Sequence, residues 1–328
     1  MISNLDLTRR RLLAAALAAA AVGPALGQPA FPSQAIKVVL PYPPGGVTDA
    51  IIRQLAPLMS KHLGQPVIVE NRSGASGNLG TAAVAQSPAD GYTLLFTTDV
   101  LGKNQNVYKN AGYDALKDFE PVGMVGGAPF VLLVSQSLPV NDLPALVAMV
   151  KAKPGSVSYA SLGVGSNLHL ATTLFENAAD IRFLHVPYKG GGPAIADLLG
   201  GHVQVMFTTV TTAMPLLAGK RVKAIAVAAP QRIAQLPDVP TFAENRYRNM
   251  NVDFWLAMAA PAKTPAPVMA KLQEALKVAT SDPEFVRKAT ELGFVLSYTG
   301  PAEFKKFLAS ELDRWGQLVR KEKIVADD

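Results

Sequence analysis

The chain has 328 residues, enough for one large or two medium domains, and 49% of them are hydrophobic, so it can bury a full core. Charged residues make up only 17%, which argues against disordered or acidic tails. The absence of cysteine excludes a disulfide framework, a thiolate zinc site, a Cys nucleophile and a lipid-anchored export form, and the net charge of +6 is scattered, leaving no nucleic-acid footprint.

The first element reads as an export signal over residues 1–27. Arg9, Arg10 and Arg11 precede an unbroken apolar run of 11 residues, 12–22, too short to span a bilayer as a mature helix. Pro24 ends the run, and the small residues Ala25 and Gly27 suit a cleavage site, which places the product in the periplasm. Thr8 to Leu13 also fits a twin-arginine signal, so Sec and twin-arginine export both stay open. Cleavage near Gly27 removes three arginines and one aspartate and leaves a net charge of +4, a mild bias toward anionic solutes. No later stretch reaches membrane-spanning length.

Short apolar runs then alternate with helical patterns, the signature of an α/β fold with largely parallel strands. Strands are expected at 36–40, 66–70 and 92–96, with helices at 48–63, closed by Gly64, and at 77–86. A helix at 142–153 starts after Asn141 and stops at Pro154-Gly155. Four strands follow at 157–160, 181–186, 203–207 and 222–228, with helices between them at 167–179, 193–199 and 212–218. The tail reads as helices at 267–279, 283–291 and 301–319 around a short strand at 294–296. Two apolar stretches, 130–134 and 254–259, fit no simple βα unit and bracket a block of such units. That pattern suggests two Rossmann-like lobes joined by two crossing strands, residues 28–127 plus 257–328 and residues 128–256.

Four strands open through Gly-rich loops straight into helices: 41–49, 71–80, 161–167 and 188–193. Each exposes backbone N–H groups at a helix N-terminus, where an anion is favoured. In open α/β sheets ligands sit beyond the carboxyl ends of strands, where these loops lie. One such loop alone is an ordinary tight turn; two in each lobe suggest a shared anion-receptive cleft. The familiar enzyme signatures are missing. Gly102-Lys103 and Gly219-Lys220 lack the hydroxyl residue of a P-loop, and Gly74, Gly77 and Gly80 are spaced three apart rather than as a dinucleotide fingerprint. Ser76 sits in no nucleophile elbow, and His62, His169, His185 and His202 lack metal-ligand spacing, so neither a catalytic residue nor a metal or other cofactor is expected. Ser166 and His169, one helical turn apart, would be nucleophile and base in a hydrolase or decarboxylase, or an N-cap serine followed by a polar residue.

In their order and spacing, several segments carry a family resemblance. They are Pro41 to Asp49, Asn71 to Gly77, Asp90-Gly91-Tyr92-Thr93-Leu94-Leu95, Gly165 to Ala171, Val186-Pro187-Tyr188-Lys189-Gly190, Leu198 to Gly201, Asp238 to Thr241 and Ala260 to Pro265. With them the chain resembles the Bug family, the extracytoplasmic solute receptors of tripartite tricarboxylate transporters. The resemblance implies a Venus-flytrap periplasmic-binding-protein fold closing on a small organic carboxylate. It further implies a monomer that hands its ligand to two integral membrane permease subunits. A ligand sensor for a membrane signalling partner would share the same fold. Carried onto this chain, the ligand-binding positions are Tyr42, Pro44, Gly46, Thr48, Asp49, Thr97, Gly165, Ser166, His169 and Tyr188. Asp49 is expected to orient its loop, since like charges repel. Gly46 is expected at positive φ, where a β-branched residue would obstruct the ligand. One departure stands out. The family often has an acidic residue after Met206-Phe207, where this chain has Thr208, so ligands without a free ammonium are expected.

Overall fold

The computed structural model describes residues 31–291 and 293–326; the expected export signal lies outside the described residues. Three parallel strands start the sheet. β1 (Ile36–Leu40) lies between β2 (Val67–Asn71) and β3 (Thr93–Thr98). The first crossover is α1 (Val47–Leu63), which buries Ile51, Ile52, Leu55 and Met59 and stops at Gly64 in the left-handed conformation. The second is α2 (Asn78–Ala85). A short helix, α3 (Asn104–Val107), follows β3.

The sheet then turns antiparallel, unlike the largely parallel order expected from the sequence. β4 (Phe119–Ser135) runs for 17 residues, roughly 55 Å at about 3.3 Å per residue. Its first part pairs antiparallel with β9 (Asp253–Pro261), which itself pairs antiparallel with β3. Its last part, from Phe130 onward, pairs antiparallel with β7 (Val205–Thr209) and β8 (Val222–Val227). Beyond β7 lie β5 (Ser158–Ser161) and β6 (Leu184–Pro187), both parallel to it. β10 (Val295–Thr299) adds to the first part of β4. The strand order is therefore β2-β1-β3-β9-β4-β7-β5-β6, with β4 common to both ends of the sheet.

Only 130–134 of β4 was legible as an apolar run. The preceding stretch carries Pro121, Gly123, Gly126, Gly127 and Pro129, residues that weaken a strand pattern. They mark bulges: the register against β9 shifts between Pro121 and Gly123 and again between Met124 and Gly126. Gly126 sits at φ +149, and a Cβ there would stand 2.4 Å from the Val295 carbonyl oxygen, so β10 can approach only a glycine.

The remaining helices cover the sheet: α4 (Leu143–Ala152), α5 (Asn167–Ala179), α6 (Gly191–Gly200), α7 (Val210–Ala218), α8 (Ala266–Thr280), α9 (Pro283–Glu291) and α10 (Pro301–Glu322). Hydrophobic clusters form on both parts of the sheet. One gathers Val39, Leu95, Phe119, Trp255 and Phe304; the other gathers Phe130 to Val134, Tyr159, Phe175, Phe207 and Phe242. α10 feeds both, with Phe304, Leu308 and Leu312 in the first and Trp315, Leu318 and Val319 in the second. None of the described helices is long and apolar enough to cross a membrane.

Candidate ligand-binding cleft

All four Gly-rich loops converge on one cavity of about 560 Å³. Pro41, Tyr42 and Pro43 reach it from the end of β1, and Ser73, Gly74, Ser76 and Gly77 from the turn after β2. Leu162, Val164, Gly165, Ser166, Asn167 and Leu168 reach it from the turn between β5 and α5, and Gly191 from the start of α6. Asn104 and Tyr108 close one side, while Phe130, Phe254, Met206, Thr208, Thr209 and Thr212 come from the central strands and the start of α7. Not one Asp, Glu, Lys, Arg or His lines it.

Three of the expected positions, Tyr42, Gly165 and Ser166, line this cavity. Tyr42 is held by its hydroxyl against the Thr98 hydroxyl at 2.8 Å, and burial pushes its phenol above the ordinary tyrosine range. The Ser166 hydroxyl caps α5 by accepting the His169 N–H at 3.4 Å.

The other expected positions sit behind the lining. Pro44 and Gly46 are exposed on the first loop and are not among the lining residues. Gly46 has φ −81 and open space where a Cβ would stand, so the obstruction expected there does not arise; the left-handed residue is its neighbour Gly45, at φ +92. Thr48 and Thr97 are buried. Asp49 is turned into its own loop, where it accepts from Arg53 at 2.9 and 3.0 Å, from Gly45 N–H and from Asn71. These bonds, the one from Arg53 first, hold its carboxyl down to about 2. Asn71 also donates to the Tyr42 carbonyl at 3.0 Å, so this cluster fixes the backbone that presents Tyr42. Tyr188 donates to Asp197 at 2.6 Å and braces α6; burial and that carboxylate push its phenol up to about 12.

His169 points away from the cavity. Its Nδ1 accepts the Gly165 N–H at 3.0 Å, and its ring stacks on His185 with centroids 4.4 Å apart. His185 in turn meets the Ser161 hydroxyl at 2.6 Å. Two imidazoles thus hold the 161–166 turn from behind. Burial, then the neighbouring His185, pushes His169 down to about 4, so it is neutral and able to accept at neutral pH.

A buried ionic cluster backs the same turn. Asp99 and Lys103 are 0% and 1% exposed and form an ion pair. Asn167 donates to Asp99 at 3.0 Å and accepts from Lys103 at 3.5 Å, and the ammonium lies 4.5 Å from the centre of the Trp315 ring. Burial raises the Asp99 carboxyl, while Lys103 pulls it back. Because Asn167 lines the cavity, this cluster joins the region after β3 to the start of α5. Periodicity offered no signal for Asn104, Tyr108, Phe130 or Phe254. Asn104 and Tyr108 sit in and just after a four-residue helix, and the two phenylalanines face the cavity from strands that otherwise feed the core.

A mixed α/β sheet with one shared central strand and a loop-lined cavity defines a periplasmic-binding-protein class of molecule. Residues 51–324 match the tripartite tricarboxylate transporter family receptor, and the chain belongs to that family. Protein BugT of Bordetella pertussis is 35% identical over 306 residues, 93% of this chain and 94% of that protein. Two solved structures are similar across nearly the whole fold. The R. palustris protein Rpa4515 with adipate shares 30% identity at a TM-score of 0.78, covering 90% of this chain and 100% of that one. MatC from Rhodopseudomonas palustris with bound malate shares 31% at a TM-score of 0.75, covering 88% and 100%.

Proposed function

We propose that this chain is exported, cleaved near Gly27, and acts in the periplasm as a monomeric receptor. In this reading it captures a small organic carboxylate and delivers it to a transporter with two integral membrane permease subunits. In the same reading the two lobes expected over residues 28–127 plus 257–328 and over residues 128–256 close on the ligand. The observation that carries this reading is the convergence of four strand-to-helix loops on a cavity that no Asp, Glu, Lys, Arg or His among the described residues lines. An anion there is met by backbone N–H groups in the first turns of α5 and α6, which have no intrahelical acceptor, and by Tyr42 and Ser166. Asp49, His169 and Tyr188 act behind this lining, holding loops and helix starts in place, with Thr48 and Thr97 buried beside them and Pro44 and Gly46 on the exposed part of the first loop. The carboxylates held by Rpa4515 and MatC support the ligand class.

Ser166 and His169 lack the arrangement of a nucleophile and its base. The Ser166 hydroxyl bonds the His169 backbone, and the imidazole is engaged with Gly165. Among the described residues no cluster of three His, Asp or Glu side chains could hold a metal. In this reading the chain is a receptor, and no residue is assigned a catalytic role.

Calorimetric titration with mono-, di- and tricarboxylates tests the reading, alongside chromatographic analysis of each mixture. Saturable binding with the acid recovered unchanged is expected. Turnover of an acid that is lost in Ser166→Ala would overturn it in favour of an enzyme.

A further inference from the structure

The cavity's walls select more than an acid. Phe130 from β4, Phe254 from β9 and Met206 from β7 present apolar groups to the space, and Ile195 from α6 adds another. On the turn before α5, Leu162 and Val164 line the same space and are 44% and 46% exposed. Because both line the cavity, they offer apolar surface that an apolar ligand body would remove from water. The polar lining is confined to hydroxyls, side-chain amides and backbone groups, and the acidic position expected after Phe207 is Thr208, which faces the cavity. An ammonium in this space has no carboxylate to meet.

We infer that the ligand is a carboxylic acid with an apolar body, aliphatic or aromatic, that carries no amino group, and that Leu162 and Val164 fold over that body. The inference rests on the cavity being the ligand site. Carboxylate oxygens meet the N–H groups at the helix starts, while the carbon body lies against Phe130, Phe254, Met206 and Ile195. An unpaired amine or hydroxyl placed against those walls loses its water without gaining a partner.

Matched titrations test this with hexanoate, 6-aminohexanoate, adipate, 2-aminoadipate and malate. The unsubstituted acid of each amine-matched pair is expected to bind at least about tenfold tighter, and adipate tighter than malate by a similar factor, since each buried CH₂ contributes roughly fourfold. Leu162→Asn/Val164→Asn alters exposed positions that leave the core intact. It is expected to weaken hexanoate or adipate about tenfold and malate by a clearly smaller factor. Thr208→Asp should raise affinity for 6-aminohexanoate. Ile195→Asp, on a half-buried helix face, serves the same purpose if the buried Thr208 variant fails to fold. If malate or an amino acid binds as tightly as its apolar-bodied counterpart, or the loop double variant weakens all acids equally, this inference is wrong while the receptor reading stands. If none of the acids binds, the receptor reading fails and takes this inference with it.

Discussion

His169 offers the sharpest perturbation, because one ring acts on the cavity through a single bond. Its Nδ1 accepts the Gly165 N–H and its face stacks on His185. His169→Leu removes a neutral hydrogen bond, about 1 kcal/mol, and a ring contact of about 0.5–1.5 kcal/mol, leaving a buried N–H without an acceptor. The expected cost is about 2 kcal/mol, a fall of roughly 3 °C in melting temperature for a chain of this size, with weaker carboxylate binding because Gly165 and Ser166 line the cavity. His169→Asn keeps an acceptor and is expected to restore binding at pH 7.5. The pH response separates the two roles. His169 titrates near 4 in the folded protein and at 6.5 in the unfolded chain, so the unfolded state binds more protons between those values. Stability is then full above about 6.5 and is lost as pH falls toward 4. The complete shift corresponds to about 3 kcal/mol, and partial solvent exposure brings the expected loss to about 1–2 kcal/mol. Glu176, Arg182, His185, Glu322 and Lys323 line the same recess; the lowered His185 adds to the slope in the same direction, while Glu176, raised by burial, opposes it at the acid end, so the slope lost in His169→Asn is the readout. Denaturant titrations from pH 4.5 to 7.5, paired with calorimetry, provide the assay. Full carboxylate affinity in His169→Leu, or an unchanged pH slope in His169→Asn, would refute the reasoning.

The buried pair behind Asn167 should be costly to break and cheap to replace. Lys103→Met strands the Asp99 carboxylate and is expected to cost about 3–5 kcal/mol, whereas Asp99→Leu/Lys103→Met should recover most of that, as chemical denaturation of both variants will reveal. Equal losses in the two would mean that the pair bears on stability only through packing. Gly165→Ala places a Cβ 2.2 Å from Val107 Cγ1 at φ +75, so a loss of about 2–4 kcal/mol together with weakened binding is expected from thermal melts and titration. N-terminal sequencing of the secreted protein should begin near Gln28; an intact Met1 would contradict export with cleavage.

Much of this site was written in the sequence because its loops are built from residues with a local signature. The loops holding Pro41 to Pro43, Ser73 to Gly77, Leu162 to Asn167 and Gly191 were all marked by glycines between an apolar run and a helix start, and each loop reaches the cavity. Residues behind the lining were harder to separate from it. His169 and Ser166 are one turn apart on α5, yet one faces the cavity and the other backs the turn, a distinction set by tertiary stacking on His185. Thr97 near the end of β3 and Tyr188 at the start of the fourth loop have side chains taken up elsewhere, Thr97 in the interior and Tyr188 on Asp197. The first part of β4 escaped detection because its prolines and glycines accommodate bulges and a close neighbour strand, features that appear only when β9 and β10 come alongside. The same long-range pairing makes the middle of the sheet antiparallel, which a pattern of alternating runs does not encode.

The most direct test of the central claim is a crystal structure of the protein with the tightest-binding acid of the panel. The account expects one ligand in the cavity, with a carboxylate oxygen about 2.7–3.2 Å from backbone N–H groups at the start of α5 or α6, near Asn167, Leu168 or Gly191, and the body against Phe130 and Phe254. A rival lies on the outer surface, where Arg248, Arg314 and Lys321 line a recess between α5 and α10. An acid bound only among those cations, with the loop-lined cavity empty, would contradict the account.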